Sequence, residues 1–134
     1  MIKERYVNLE VAKLLRDKGF DEECTKLYNI NNGLVFEGDE ACNSELTEIS
    51  ELITRPTQAV ACDWIEEKYN ISIELWTGLF GYEMSVRYAK KNFTLTGEII
   101  NKEDMPFGDN SDGSWSNKEQ AYNDMIKYVL INLI

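Results

Sequence analysis

The sequence predicts an α+β protein: an antiparallel sheet of three to five strands with helices packed on one face. Three observations support this prediction. An amphipathic segment from Pro56 to Tyr69 passes almost directly into an alternating strand that begins at Ile71. Two more alternating segments, Tyr82–Tyr88 and Phe93–Ile99, follow with short connections, as in an antiparallel meander. A segment with helical spacing, Ser116 to Ile134, closes the sequence.

Length and composition predict one domain, residues 1–134. The sequence has 134 residues, of which 43% are hydrophobic, and this matches an ordinary globular core. A chain of this length buries enough surface to fold without a metal or disulfides. We therefore expect no cofactor.

The chain is strongly acidic, with 24 Asp and Glu against 14 Lys and Arg and a net charge of −10. Such a charge repels phosphate backbones, which disfavours direct binding to nucleic acid. Two interpretations remain open. The acidity either keeps the protein in solution, or it imitates DNA and occupies a basic site on another protein. The densest acidic run, residues 37–51, does not decide between them.

The cysteines indicate a reducing compartment. Cys24, Cys42 and Cys62 form no CxxC motif, and the sequence has no histidine, which argues against a structural zinc site. The sequence has neither a signal-like apolar core at its start nor an apolar run of about 18 residues. We expect a cytoplasmic protein with reduced thiols and no membrane association.

The first elements are predicted from local signals. A helix from Asn8 to Lys18 has Asn8 as its N-cap and ends before Gly19. A hairpin over residues 25–37 turns at residues 31–33, Asn-Asn-Gly. The polar residues 38–50 form either a long loop or a short helix over 44–52.

The second helix is expected to begin at Pro56, in the first turn, and to end at Tyr69. Cys62 lies at the rim of its apolar arc and is interpreted as a core residue rather than a nucleophile. The full arc consists of Val60, Ala61, Cys62, Trp64, Ile65 and Tyr69.

Trp76 alternates out of phase with Ile73 and Leu75, which places it on the strand face opposite the core. Glu74 and Glu83 are expected to meet across the strands on this face. Trp76 is either an exposed anchor for a partner protein or a residue covered by the acidic segment 38–50.

The segment Asn101 to Ser114 is predicted to be a loop. Its part from Asp104 to Asp112 is rich in oxygen ligands, but it fails the calcium-hand spacing, so a solvated turn is favoured over a metal site. Residues 116–119, Ser-Asn-Lys-Glu, resemble a capping box for the last helix. Ile131 and Ile134 extend the apolar surface of that helix, which indicates deeper burial or a homodimer contact.

Catalytic signatures are absent from the sequence. It has no GxSxG motif and no phosphate-binding glycine loop, and the lack of histidine excludes the usual triads. The paired carboxylates Glu66 and Glu67 lie on an exposed helix face, where pKa values are seldom perturbed. These observations favour a non-enzymatic protein without excluding an enzyme.

The segment from Thr54 to Ile134 resembles small uncharacterised proteins of bacterial phages and mobile elements. The resemblance depends on the helix start Pro56-Thr57-Gln58 with Trp64, followed by a strand meander and a closing S-x-x-E-x-A-Y helix. The loop over residues 105–113 is long for that group. The resemblance implies an α+β fold and an accessory role, and it transfers no catalytic residues.

The leading functional prediction is therefore a non-enzymatic, phage-like accessory protein that binds another protein, as a monomer or as a homodimer through the last helix. The alternatives are an acidic DNA-mimic inhibitor and a small-ligand-binding protein or enzyme that uses the open sheet face. The candidate binding residues are Trp76, Phe80, Tyr82, Glu74, Glu83 and Arg87.

Overall fold

The computed structural model describes residues 3–46, 51–88 and 106–134. In these ranges the chain forms three helices and five strands, which confirms the α+β class. In chain order the elements are α1 (Leu9–Asp17), β1 (Cys24–Asn29), β2 (Val35–Ala41), β3 (Leu52–Thr54), α2 (Gln58–Tyr69), β4 (Ile71–Thr77), β5 (Tyr82–Tyr88) and α3 (Lys118–Asn132).

The described strands lie in two antiparallel sheets, one with the order β2-β1-β3 and one formed by β4 and β5. The strand predicted over residues 93–99 lies outside the described residues. The chain forms two compact units, Met1–Ala61 and Cys62–Ile134. A single domain with all helices on one sheet face stays a prediction.

In the first unit, α1 begins and ends where the sequence indicates. The Asn8 side-chain oxygen accepts a hydrogen bond from the Val11 amide at 2.9 Å. At the other end Gly19 adopts a φ of 93°, and the Phe20 amide donates to the Leu15 carbonyl at 2.9 Å. Phe20 is thereby turned back and is only 1% exposed. The cap and the glycine stop are confirmed.

The predicted hairpin is formed by β1 and β2. The Asn29 side chain accepts from the amides of Asn31 and Asn32, and Gly33 has a φ of 72°. β2 continues to Ala41, so the polar segment 38–50 begins as a strand. Residues 43–46 form turns, and Leu52 begins β3. A helix over residues 44–52 is therefore wrong for the described part of that segment.

The start of α2 differs from the prediction. The helix begins at Gln58, and the Thr57 hydroxyl accepts from the Val60 amide at 3.2 Å, as an N-cap does. Pro56 lies before the cap, and its carbonyl accepts from the Val7 amide at 3.0 Å. This pairing with the N-terminal segment holds Pro56 outside the helix.

Three of the six residues of the apolar arc of α2 are buried, two are half-buried, and Val60 is 40% exposed. Val60 lies three and seven positions before the exposed Asp63 and Glu67, so it shares their side of the helix. Ala61 and Trp64 are buried. The assignment of Val60 to the buried arc is thus wrong.

In the second unit, α3 lies against both strands of the β4–β5 sheet. Val129 is fully buried and Trp64 is 9% exposed, so both side chains face inward. The rest of the buried core includes Ile65, Ile71, Met84, Val86, Met125, Ile126 and Leu130. None of the described helices is both long enough and apolar enough to cross a membrane.

The N-cap of α3 is Asn117 rather than Ser116. The Asn117 side chain accepts from the Gln120 amide at 3.0 Å. Ser116 is already engaged in the preceding loop, because its amide donates to Asp109 at 2.8 Å and its hydroxyl donates to Asn110 at 2.9 Å. The capping box is wrong for this reason.

Candidate binding groove

The polar face of β4–β5 is organised by the register of the two strands. Trp76 pairs with Glu83, and Glu74 pairs with Ser85. Glu74 and Glu83 are therefore diagonal neighbours on the same face of the two strands rather than a directly opposed pair. The Glu74 carboxylate instead lies 3.4 Å from Nε of Arg87, in an ion pair that lacks hydrogen-bond alignment.

Trp76 is held at one edge and exposed over the rest of its ring. Its indole N–H donates to the Ser85 hydroxyl at 3.1 Å, and Ser85 itself is only 6% exposed. Half of the Trp76 surface, 52%, remains exposed. This geometry favours the anchor over the covered residue among the two interpretations of Trp76.

The segment 106–116 is ordered around the side chain of Asn110. Its amide nitrogen donates to the Phe80 carbonyl and to the Ser114 hydroxyl, both at 3.0 Å. Its oxygen accepts from the Ser116 hydroxyl at 2.9 Å. One side chain thus joins the β4–β5 turn to the C-terminal end of this loop.

Gly108 makes the close turn of this segment possible. Its amide donates to the Gly113 carbonyl at 2.8 Å. A Cβ atom at Gly108 would collide with the backbone carbonyl of Ser114. Only glycine fits there without opening the loop.

Trp115 attaches the same segment to β5 and α3 within the second unit. Its backbone exchanges two hydrogen bonds with Tyr82, at 2.8 and 2.9 Å. Its indole N–H donates to the Asp124 carboxylate on α3 at 2.8 Å, and the side chain is 2% exposed. The loop is therefore fixed to both β5 and α3.

A groove of about 500 Å³ lies between these parts. Its volume falls within the range of small-molecule sites and peptide-binding clefts. The residues that define its chemistry are Trp76, Glu83, Ser85 and Arg87 from the strands and Phe107, Asp112 and Trp115 from the loop side.

Carboxylates outnumber cations in the groove. Glu83 is exposed and forms neither a hydrogen bond nor an ion pair with the part of the chain that the structure describes. Asp112 accepts from the hydroxyl and the amide of Ser114, at 2.7 and 3.1 Å, and these bonds lower its pKa. The single cation of the described lining, Arg87, is already offset by Glu74.

Three of the six candidate residues, Glu74, Phe80 and Tyr82, lie outside this lining. Phe80 is 70% exposed at the turn after β4, where its carbonyl serves Asn110. The Tyr82 ring lies on the other strand face, with the Lys118 ammonium 5.4 Å from its centroid. Trp76, Glu83 and Arg87 are brought together, and Glu74 joins them through its ion pair.

Phe107 and Asp112 line the groove, but neither was among the binding candidates predicted from the sequence. Phe107 is 72% exposed and also lines a second groove of about 310 Å³, beside Tyr128 and Ile131. Ile131 is itself 52% exposed. An aromatic residue next to Pro106 in a polar loop was the available signal.

The carboxylates of this loop accept hydrogen bonds from within the loop itself. Asp109 and Asp112 each use a carboxylate oxygen to order the loop, through Ser116 and Ser114 respectively. In residues 3–46, 51–88 and 106–134, no three carboxylate or thiol groups come together as a metal site would require. Asp104 lies outside the described residues.

Cys62 is a poor nucleophile in this setting. Burial, with the nearby charges of Asp63 and Glu66, raises its pKa to about 12. The thiolate needed for nucleophilic attack is therefore scarce at neutral pH. This agrees with the interpretation of Cys62 as a structural residue.

No family model matches the chain, and comparison with curated proteins and with solved structures likewise finds no match.

Proposed function

We propose that this chain is a non-enzymatic accessory protein, of the phage or mobile-element type, that binds another protein in the cytoplasm. The single observation that carries the proposal is the row of exposed apolar side chains along the two grooves. Trp76, Phe107 and Ile131 are all more than half exposed, at 52%, 72% and 52%. Exposed apolar groups of this size beside concave surfaces are typical of protein interfaces.

Phe107 connects the two grooves, since it lines both of them. A partner that fills both grooves would bury Trp76 on one side and Ile131 on the other. Such burial is where interface energy concentrates, because large aromatic anchors dominate binding while the surrounding contacts exclude water. Ile131 on α3 is also the residue through which a homodimer would form.

The test is capture of a partner from host lysate by the wild-type chain and by Trp76→Ala. We expect the substitution to weaken binding of the captured partner by about 2 kcal/mol, roughly 30-fold. Phe36→Ala is the matched control, because Phe36 is an exposed aromatic residue (44%) in the other unit. Equal loss in both variants, or no specific partner at micromolar concentration, contradicts the proposal.

A second candidate, a small-ligand-binding protein or an enzyme, is favoured by the groove volume of about 500 Å³. A thermal-shift screen with metabolites and metals tests it. A ligand at 100 times its dissociation constant adds about 2.7 kcal/mol of stability. A hit that Glu83→Gln abolishes would support this candidate over protein binding.

The third candidate, a DNA-mimic inhibitor, is favoured by the charges on and beside β2. Glu37, Asp39 and Glu40 are all exposed on this strand. A hydrogen bond with Glu40, together with its charge, raises the pKa of Glu23, which reports a dense negative surface. A partner displaced by added DNA and by high salt would support this candidate.

A further inference from the structure

We propose that the occupant of the 500 Å³ groove is a basic segment of a partner protein, with one lysine or arginine side chain held by Trp76, Phe107 and Glu83. This inference rests on the proposed protein-binding function and adds the chemistry of the partner. Three features of the groove lead to it: its aromatic rings, its uncompensated carboxylates and the charge of the whole chain.

The aromatic rings suit a cation. Trp76 has the side chain that attracts cations most strongly through its ring face. Its indole N–H is tied to Ser85 at 3.1 Å, so the ring is oriented before any ligand arrives. Phe107 supplies a second exposed ring on the same groove and packs next to Gly113, where an added Cβ would lie 3.1 Å from the ring.

The carboxylates of the groove also favour a positively charged ligand. Glu83 packs against Gly78, where an added Cβ would lie 3.0 Å from the carboxylate carbon. The Glu83 charge has no partner among the described residues. Asp112 keeps its charge through two hydrogen bonds from Ser114. A cation entering beside Trp76 therefore meets ring faces and negative charge together.

Other occupants fit less well. An anionic ligand meets Glu83 and Asp112 and a chain with a net charge of −10. A second copy of the chain carries the same net charge and is repelled for the same reason. An uncharged apolar segment would bury Glu83 without a partner, which is costly. The basic segment is the occupant that satisfies both the rings and the carboxylates.

The experiment uses defined probes with the full chain. The probes are N-acetylated, amidated tripeptides with the central residue arginine, citrulline or glutamate, and N-acetyl-arginine amide alone. Binding is followed by NMR at the indole N–H of Trp76, assigned with Trp76→Phe. We expect the arginine tripeptide to bind at least about tenfold more tightly than the citrulline tripeptide, because only the former carries charge.

The matched variants are Glu83→Gln and Glu67→Gln. Both remove one exposed carboxylate from the second unit, but Glu67 lies on α2 and not in the groove lining. We expect Glu83→Gln to weaken the arginine tripeptide roughly five- to tenfold and Glu67→Gln to leave it unchanged. Glutamine keeps the side-chain shape, and an unchanged thermal midpoint confirms that the fold is intact.

Several outcomes overturn the inference. If the citrulline or glutamate tripeptide binds as tightly as the arginine tripeptide, the charge of the ligand does not matter and the inference fails. If the arginine tripeptide causes no shift of the Trp76 indole signal, the inference also fails. N-acetyl-arginine amide binding as tightly as the tripeptide would assign the groove to a small cation. A captured partner lost with Trp76→Ala but retained with Glu83→Gln would refute this inference and leave the proposed function standing.

Discussion

Removing the Asn110 side chain is expected to destabilise the second unit by about 1–2 kcal/mol. Asn110→Ala deletes three hydrogen bonds, to the Phe80 carbonyl, the Ser114 hydroxyl and the Ser116 hydroxyl, at 3.0, 3.0 and 2.9 Å. A neutral hydrogen bond contributes about 0.5–1.5 kcal/mol net. The sum is reduced because water reaches two of the three bonds.

The loss should also be local. Tyr82 and Trp115 exchange two backbone hydrogen bonds next to the loop that Asn110 holds. With Asn110 removed, those amides should exchange with solvent faster, while amides in the middle of α3 keep their protection. Ligand binding in the groove should weaken in parallel, since Phe107 and Asp112 lie on the same loop.

The assay is urea unfolding, followed by tryptophan fluorescence, together with native-state hydrogen exchange. Asn132→Ala is the control, because it removes one exposed bond, from Asn132 to the Tyr128 carbonyl at 3.1 Å. We expect the control to change stability by less than about 0.5 kcal/mol. If Asn110→Ala behaves like Asn132→Ala, and the Tyr82 and Trp115 amides keep their protection, Asn110 does not hold the loop.

Three further predictions concern single side chains. Asn8→Ala should cost about 1 kcal/mol of unfolding free energy in chemical denaturation, since it removes the N-cap of α1; a change near zero would mean that the cap is not used. Cys62, with its pKa raised to about 12, should react with iodoacetamide at about pH 8 far more slowly in the native chain than in urea, and equal rates would contradict its burial. Asp112 has a lowered pKa in the folded chain, so its contribution to stability is present above its ordinary value of 3.8 and is lost as pH falls through the folded value. Asp112→Asn should therefore unfold with a weaker dependence on pH in acid, and an unchanged profile would refute this contribution.

Three of the groove-lining residues were among the binding candidates that the sequence suggests. Trp76, Glu83 and Arg87 were found because a strand places alternate residues on one face, and that period is visible in the sequence. Phe107 and Asp112 were not found. Their position depends on a loop that Trp115 attaches to Tyr82, and this contact joins residues far apart in the sequence.

Several elements can be read from the sequence alone, because local interactions specify them. The N-cap and glycine stop of α1, the Asn-Gly turn of the β1–β2 hairpin and the alternation of β4 and β5 each depend on residues only a few positions apart. Such signals are strong because the same short stretch supplies both the donor and the acceptor.

Where several partners compete for the same hydrogen-bonding group, the outcome depends on the tertiary fold. Thr57 and Asn117 became caps because Pro56 is bound to the N-terminal segment and Ser116 to the preceding loop. β1 pairs with β3 as well as with β2, which places Leu27 opposite Thr54. β4 and β5 form a separate sheet. Each backbone donor or acceptor can serve few partners, and which one it takes depends on what the whole fold brings near.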